Sequence, residues 1–101
     1  MEKEKSYNNG KLKYEGEYIN DSRNGKGKEF YNNGKLKFEG EYLNDLRNGK
    51  GKEYYIKNKI KFEGEYLNWR TNNGNGFNES GNLIMNMDNR KIKEYYKIMA
   101  N

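Results

Sequence analysis

The sequence predicts an all-β protein, an elongated single-layer antiparallel meander of repeated β-hairpins with a 24-residue period. Three observations carry that prediction. Residues 10–33 recur as residues 34–57 with 18 of 24 positions identical, and Tyr14/Phe38, Ile19/Leu43 and Phe30/Tyr54 among the six differences preserve shape. Within each unit apolar and charged residues alternate with period two, the pattern of a strand with one wet face. Clusters of Asn, Asp and Gly interrupt the alternation at regular intervals, as turns do.

Taken in order, residues 1–6 are charged and aperiodic and are expected to fray. The repeats are placed at 7–68, because Tyr7-Asn-Asn-Gly10 already matches Tyr31-Asn-Asn-Gly34. In the first unit Lys11–Ile19 reads as a strand. Leu12, Tyr14, Gly16 and Tyr18 share one face, and Lys11, Lys13, Glu15 and Glu17 share the other. Asn20–Gly25 reads as the turn, Lys26–Tyr31 as a shorter strand, and Asn33-Gly34 as a two-residue hairpin turn. A loop at Asn20–Gly25 pairs Ile19 with Lys26, Glu17 with Lys28 and Tyr14 with Tyr31, and places Tyr18 over Gly27. The Asn33-Gly34 turn pairs Asn32 with Lys35, which sets Tyr31 against Leu36 and Gly27 against Gly40. Glycines weaken a strand, so their recurrence points to sites where aromatic rings fold over bare backbone.

The third copy opens at Asn58 and holds to Asn68, after which Trp69 stands where Asp21 and Asp45 stood. Residues 69–101 are expected to form a degenerate capping unit. In it Asn82–Met87 is a short apolar strand, Asp88-Asn89 a tight turn, and Lys91–Met99 a last strand whose Tyr95, Tyr96, Ile98 and Met99 can close the array or dock, with Leu83, Ile84, Met85 and Ile98 covering apolar surface.

Composition narrows the function classes. There is no cysteine, hence no disulfide framework or thiolate metal site, and no histidine, the commonest general base. Glu15/Glu17 and their copies read as a solvated face, because acid–base catalysis needs two carboxylates in contrasting environments. Gly25-Lys-Gly27 and Gly49-Lys-Gly51 lack the spacing of a phosphate loop. No enzyme activity, cofactor or metal is therefore expected. The net charge of +5 is spread as 0, +1, +2, 0 and +2 over residues 1–9, 10–33, 34–57, 58–81 and 82–101, which argues against a nucleic-acid surface. No apolar run approaches the roughly 20 residues that span a bilayer, and residues 1–6 lack a signal-peptide core. A cytoplasmic protein, with peripheral membrane attachment as a variant, is the expectation.

The unit from Tyr14 to Gly27, with Glu-Gly-Glu after the first aromatic residue and Gly-Lys-Gly at its end, returns at Phe38 to Gly51 and in weakened form at Phe62 to Gly76. It resembles a MORN repeat. Its continuation, Lys-Glu-Tyr-Tyr followed by Asn-Gly-Lys-Leu-Lys, is similar to the variant typical of bacterial and AT-rich genomes, some of whose members are antitoxin-like. The resemblance covers residues 7 to about 76, with an echo at 91–96. It departs at Glu29 and Glu53, where many such repeats carry an aromatic residue, and at Asn58, where a glycine is lost.

The resemblance implies a scaffold or binding surface, for protein partners, acidic phospholipids or a second copy. Two residue sets are candidates. The aromatic column Tyr14, Tyr18, Phe38, Tyr42, Phe62 and Tyr66, with Trp69, either packs the array on itself or, left uncovered by a single-layer sheet, forms a partly exposed binding groove. The corner cations Arg23, Lys26, Arg47 and Lys50 recur 24 residues apart and would stack as a basic ridge for an acidic partner or lipid. The sheet ends, and the aromatic face, also offer routes to a homodimer. The expected function is a non-enzymatic protein-interaction module. A phospholipid-binding module and a bacterial antitoxin or immunity-type protein are the alternatives.

Overall fold

The computed structural model describes residues 2–95, with side chains as far as Ile92. Tyr96, Ile98 and Met99, expected to help close the sheet, lie outside that range. Nine strands follow one another in chain order: β1 Glu2–Asn8, β2 Lys11–Ile19, β3 Ser22–Phe30, β4 Leu36–Leu43, β5 Leu46–Tyr54, β6 Ile60–Leu67, β7 Arg70–Phe77, β8 Leu83–Asp88 and β9 Lys91–Tyr95. Every neighbouring pair is antiparallel and the order in the sheet is the order in the chain. The body measures 47 × 29 × 14 Å, one layer thick, and no helix occurs among the described residues. The meander predicted from the repeat is the fold observed.

Turns alternate between the two ends of the strands. At one end Asn20-Asp21, Asn44-Asp45, Asn68-Trp69 and Asn89-Arg90 each take positive φ at both positions, the requirement of the mirror-image turn whose twist matches a hairpin. Asn and Asp enter this left-handed region at little cost. At the other end three wider loops are closed by hydrogen bonds such as Tyr31 N–H to the Lys35 carbonyl (2.8 Å) and Tyr55 N–H to the Lys59 carbonyl (2.8 Å). Each of these loops has one residue at positive φ, namely Gly34, Asn58 and Gly81. Asn58 thus fills the conformation of the glycine it replaces.

These turns correct the expected register. Asn20-Asp21 alone makes the first corner, so Ile19 pairs with Ser22 and Tyr18 with Arg23, and a bulge between Gly16 and Tyr18 absorbs the offset. Gly16 then faces Gly27, Glu15 faces Lys28, and Tyr14 faces Glu29 instead of Tyr31. Asn33-Gly34 lies inside a wider loop, and a bulge between Glu29 and Phe30 sets Phe30 opposite Leu36. Gly27 does face Gly40, as expected. The last corner is Asn89-Arg90, one residue later than predicted. Residues 2–6 also depart from the fraying expected of them. They form most of β1, where Lys3 meets Glu17 and Lys5 meets Glu15.

The core is built on glycine. Gly16, Gly27, Gly40, Gly51, Gly64 and Gly74 face one another in a continuous row across β2 to β7. The rings of Tyr14, Phe38 and Phe62 fold over this row. A Cβ on Gly51 would lie 2.6 Å from Phe38 Cζ, and one on Gly74 would lie 2.9 Å from Phe62 Cζ. Tyr14, Phe38, Tyr42, Phe62 and Tyr66 are at most 4% exposed. Their rings form an edge-to-face ladder with Tyr18, at centroid separations of 5.1–5.6 Å. Such pairs add about 0.5–1.5 kcal/mol each beyond area burial. Side chains stand at both ends of the row: Glu4 opposite Gly16, and Met87 opposite Gly74.

Candidate interaction surfaces

The aromatic column is not the open groove expected of a single layer. Arginines close it. The Arg23 guanidinium lies 4.5 Å from the Tyr14 ring centroid and Arg47 lies 4.2 Å from that of Phe38. Arg47 is held in place by Glu29 (2.9 Å) and Glu53 (3.4 Å). The Tyr42 hydroxyl donates to Glu29, and the Tyr66 hydroxyl donates to Glu53 at 3.2 Å. Burial pushes the Glu29 carboxyl up, but the hydrogen bonds from Arg47 and Tyr42 and the arginine charges outweigh it and hold the group below the usual range. Glu29 and Glu53, where many related repeats carry an aromatic residue, therefore serve here as counter-ions for an arginine lid. Tyr14, Phe38, Tyr42, Phe62 and Tyr66 are buried in this packing, and Tyr18 at its end is half-buried.

The basic ridge does not form either, because strand alternation divides its members. Arg23, opposite Tyr18, and Arg47, opposite Tyr42, project on the ring face. Lys26 and Lys50 project on the other face, opposite Glu41 and Glu65.

That other face is a concave trough of about 1420 Å³, with Gly16, Gly27, Gly40, Gly51 and Gly64 in its floor. Two charged rows cross it. One runs Lys5, Glu15, Lys28, Glu39, Lys52, Glu63, and the second runs Lys3, Glu17, Lys26, Glu41, Lys50, Glu65. Each strand thus presents two like charges, and the sign reverses from one strand to the next. Glu17 and Glu41 accept hydrogen bonds from the backbone N–H groups of Lys26 and Lys50, both at 2.7 Å, and Glu39 accepts from the Tyr54 hydroxyl at 2.8 Å. Among the described residues the ion pairs all involve Glu29 and Glu53 of the ring face, so the trough lysines are unpaired.

An apolar strip borders the trough along the tight corners. Ile19, Leu43 and Leu67 end β2, β4 and β6 on the trough side by alternation, and Leu46 sits opposite Leu43. Leu43, Leu46, Leu67 and Trp69 are 49%, 38%, 54% and 59% exposed. The Trp69 N–H donates to the Arg47 carbonyl at 2.6 Å, bringing the third corner against the second. The hairpin itself does not call for apolar groups here, since the first unit has Asp21 in place of Trp69 and Ser22 in place of Leu46. Sequence reading singled out Trp69 but missed Leu43, Leu46 and Leu67. The available signal was Ser22/Leu46, the one difference between the first two units that trades a polar side chain for a large aliphatic one inside the hairpin.

Among the described residues no cluster of acidic side chains is placed to hold a metal ion, and no helix is long and apolar enough to cross a membrane. No curated protein matches the chain. The MORN repeat family matches residues 14–35 and 38–58, the first two aromatic-to-corner units of the sheet. Repeats of this family are non-enzymatic interaction modules that mediate protein or membrane-lipid contacts. With the ring-over-glycine hairpin recurring in register from β2 to β7, the units at residues 14–35 and 38–58 are MORN repeats.

Proposed function

We propose that this chain is a non-enzymatic protein-interaction module that seats a protein partner in the trough, against the apolar rim of Leu43, Leu46, Leu67 and Trp69. The observation that carries this reading is the exposed rim itself. A tryptophan and three leucines stand beside a charged groove, and two of them, Trp69 and Leu46, replace the Asp21 and Ser22 of the first unit. Apolar surface rimmed by polar groups marks interaction sites, and tryptophan is prominent among binding hot spots. A phospholipid role draws less support. The corner cations are split between two faces, and Arg47 is engaged by Glu29 and Glu53. The trough is lined by six lysines and seven glutamates, so it lacks the concentrated positive potential that draws a protein to an anionic membrane. An antitoxin or immunity-type protein would be one instance of the same reading, with a toxin as the partner. End-to-end homodimerisation is a second reading, favoured by the outer edge of β1, which pairs with β2 alone.

The test is a double variant, Leu46→Ser with Trp69→Asp, that copies the residues of the first unit. A photo-crosslinker at Leu43 in the otherwise native chain should capture a defined protein, and the double variant should lose it while melting normally. Equal capture by the variant, or attachment to anionic vesicles with no protein captured, overturns the reading.

A further inference from the structure

The ring face carries two arginine lids but a full set of counter-ions for only one. Arg23 and Arg47 occupy matching places, opposite Tyr18 and Tyr42, with their guanidinium groups 4.5 and 4.2 Å from the ring centroids of Tyr14 and Phe38. Arg47 is gripped by both oxygens of Glu29, 2.9 Å from Nε and 3.2 Å from Nη2, and by Glu53 at 3.4 Å. Arg23 has no ion pair among the described residues.

The register locates what is missing. Ser6, Tyr14, Glu29, Phe38 and Glu53 face one another in a row across β1 to β5. Arg47 lies over Phe38, between Glu29 and Glu53; Arg23 lies over Tyr14, between Ser6 and Glu29. Ser6 thus holds in the first unit the place that Glu29 holds in the second, and a bulge follows each. Glu29 does not serve both arginines, because its oxygens are taken by Arg47 and the Tyr42 hydroxyl. Glu2 and Glu4 share this face of β1, opposite Tyr18 and Gly16, and neither pairs with Arg23.

We infer that Ser6 is a phosphorylation site whose phosphate supplies the counter-ion that Arg23 lacks and ties β1 to β3 across β2. Reach favours this group. The carboxylate oxygens of glutamate stand three bonds from Cβ, and so do the phosphate oxygens of phosphoserine, whereas the bare serine hydroxyl stops two bonds short. Arginine takes phosphate in the same bidentate fork that it gives a carboxylate. The Tyr18 hydroxyl stands where the Tyr42 hydroxyl donates to Glu29, makes no hydrogen bond among the described residues, and is the donor for a further oxygen. Ser6 is half-buried on a strand that pairs with β2 alone and whose other described residues are exposed, so an enzyme reaches its hydroxyl without opening the ring stack. The donor is a nucleoside triphosphate held by a protein kinase. The bond from Ser6 Oγ to the terminal phosphorus forms as the bond from that phosphorus to its bridging oxygen breaks. The nucleoside diphosphate leaves with that oxygen, and the hydroxyl proton passes to the base of the kinase.

The test compares the 101-residue chain with and without phosphoserine at position 6, each with Arg23 and with Arg23→Met. The phosphate should raise Tm by about 5 °C or more beside the arginine and leave it unchanged without it. Ser6→Glu, which copies the second unit, should give part of that gain. Phosphorus NMR reads the contact itself in the folded chain. The second ionisation of the phosphate, ordinarily at about pH 6, should fall by about half a unit or more beside Arg23, against the opposing push of Glu2, Glu4 and Glu29, and rise again in Arg23→Met. The same midpoint with and without the arginine, or no gain in Tm, overturns the counter-ion. Mass spectrometry of the chain isolated from its own cells should find phosphate on Ser6. A chain bare at Ser6 in growing, starved and stressed cells overturns the modification.

Discussion

Placing an alanine at Gly51 tests whether ring-over-glycine packing is what holds this sheet together. The added methyl carbon would lie 2.6 and 2.7 Å from Cζ and Cε1 of Phe38, and 3.2 Å from Cε1 of Tyr66. Ordinary carbon contacts begin near 3.5 Å, so Phe38 must move by almost 1 Å. It has little room, because it is fully buried between Tyr42 and Tyr66 with Arg47 above it. Overpacking of this kind costs about 1–3 kcal/mol, and the site belongs at the upper end. Against it stands a gain of about 0.4–1 kcal/mol from the lower chain entropy of alanine in the unfolded state. The net loss is about 2 kcal/mol, or roughly 8–16 °C in Tm for a domain of this size. Gly76→Ala is the control. Its methyl would meet only Met85 Cε at 3.3 Å and Cβ at 3.7 Å among side chains, and a flexible thioether yields readily. Urea and thermal melts followed by circular dichroism should show Gly51→Ala far below the parent and Gly76→Ala within about 0.5 kcal/mol of it. In a Phe38→Leu background the cost of Gly51→Ala should shrink. Equal midpoints for the two alanine variants would refute the packing argument.

Arg47→Met should cost about 3 kcal/mol in urea unfolding, since it leaves Glu29, whose side chain is 19% exposed, without its cation and Glu53 with only Lys61 at 3.7 Å. Arg23→Met loses only its approach to Tyr14 and Tyr42 and should cost about 1 kcal/mol. The Glu29 carboxyl titrates below its unfolded value of 4.5. Its contribution is therefore complete above that pH and is lost as pH falls through the lower folded value. Melting temperature should drop over that acid window, and Glu29→Gln should flatten the drop. Sedimentation at micromolar concentration should reveal a dimer if the β1 edge pairs end to end; a 12.0 kDa monomer throughout removes that reading.

Period, strand faces and the role of the glycines were legible because they are local and repeated three times. Gly27 against Gly40 followed directly from them. The corner geometry was harder to read. Asn33-Gly34 carries the stronger hairpin signal, and the same pair does turn tightly at Asn9-Gly10, yet within the repeats the tight turns are Asn20-Asp21 and its copies, and bulges at Gly16/Tyr18 and Glu29/Phe30 absorb the offset. A bulge has no sequence marker of its own, so a register counted from one turn drifts by the next. The candidate site failed for a different reason. Alternation places Tyr14, Phe38 and Arg47 on one face but cannot say that the arginine folds down over the rings. That depends on Glu29, which reaches Arg47 from β3 across β4, and on Glu53 further along Arg47's own strand. The charged rungs were visible as a wet face, but only the curvature of the sheet turns a wet face into a trough.

Gly16, Gly27, Gly40 and Gly51 are both the seat of the aromatic rings and the floor of the trough. One layer of peptide separates the molecule's interior from whatever it holds. A residue added on this row intrudes on the rings, so the floor is closed to mutational tuning, and recognition can change only along the rungs and the rim. Mutations that alter partner choice should therefore fall on the flanks of the sheet, and those that unfold the chain along its midline, with few positions serving both.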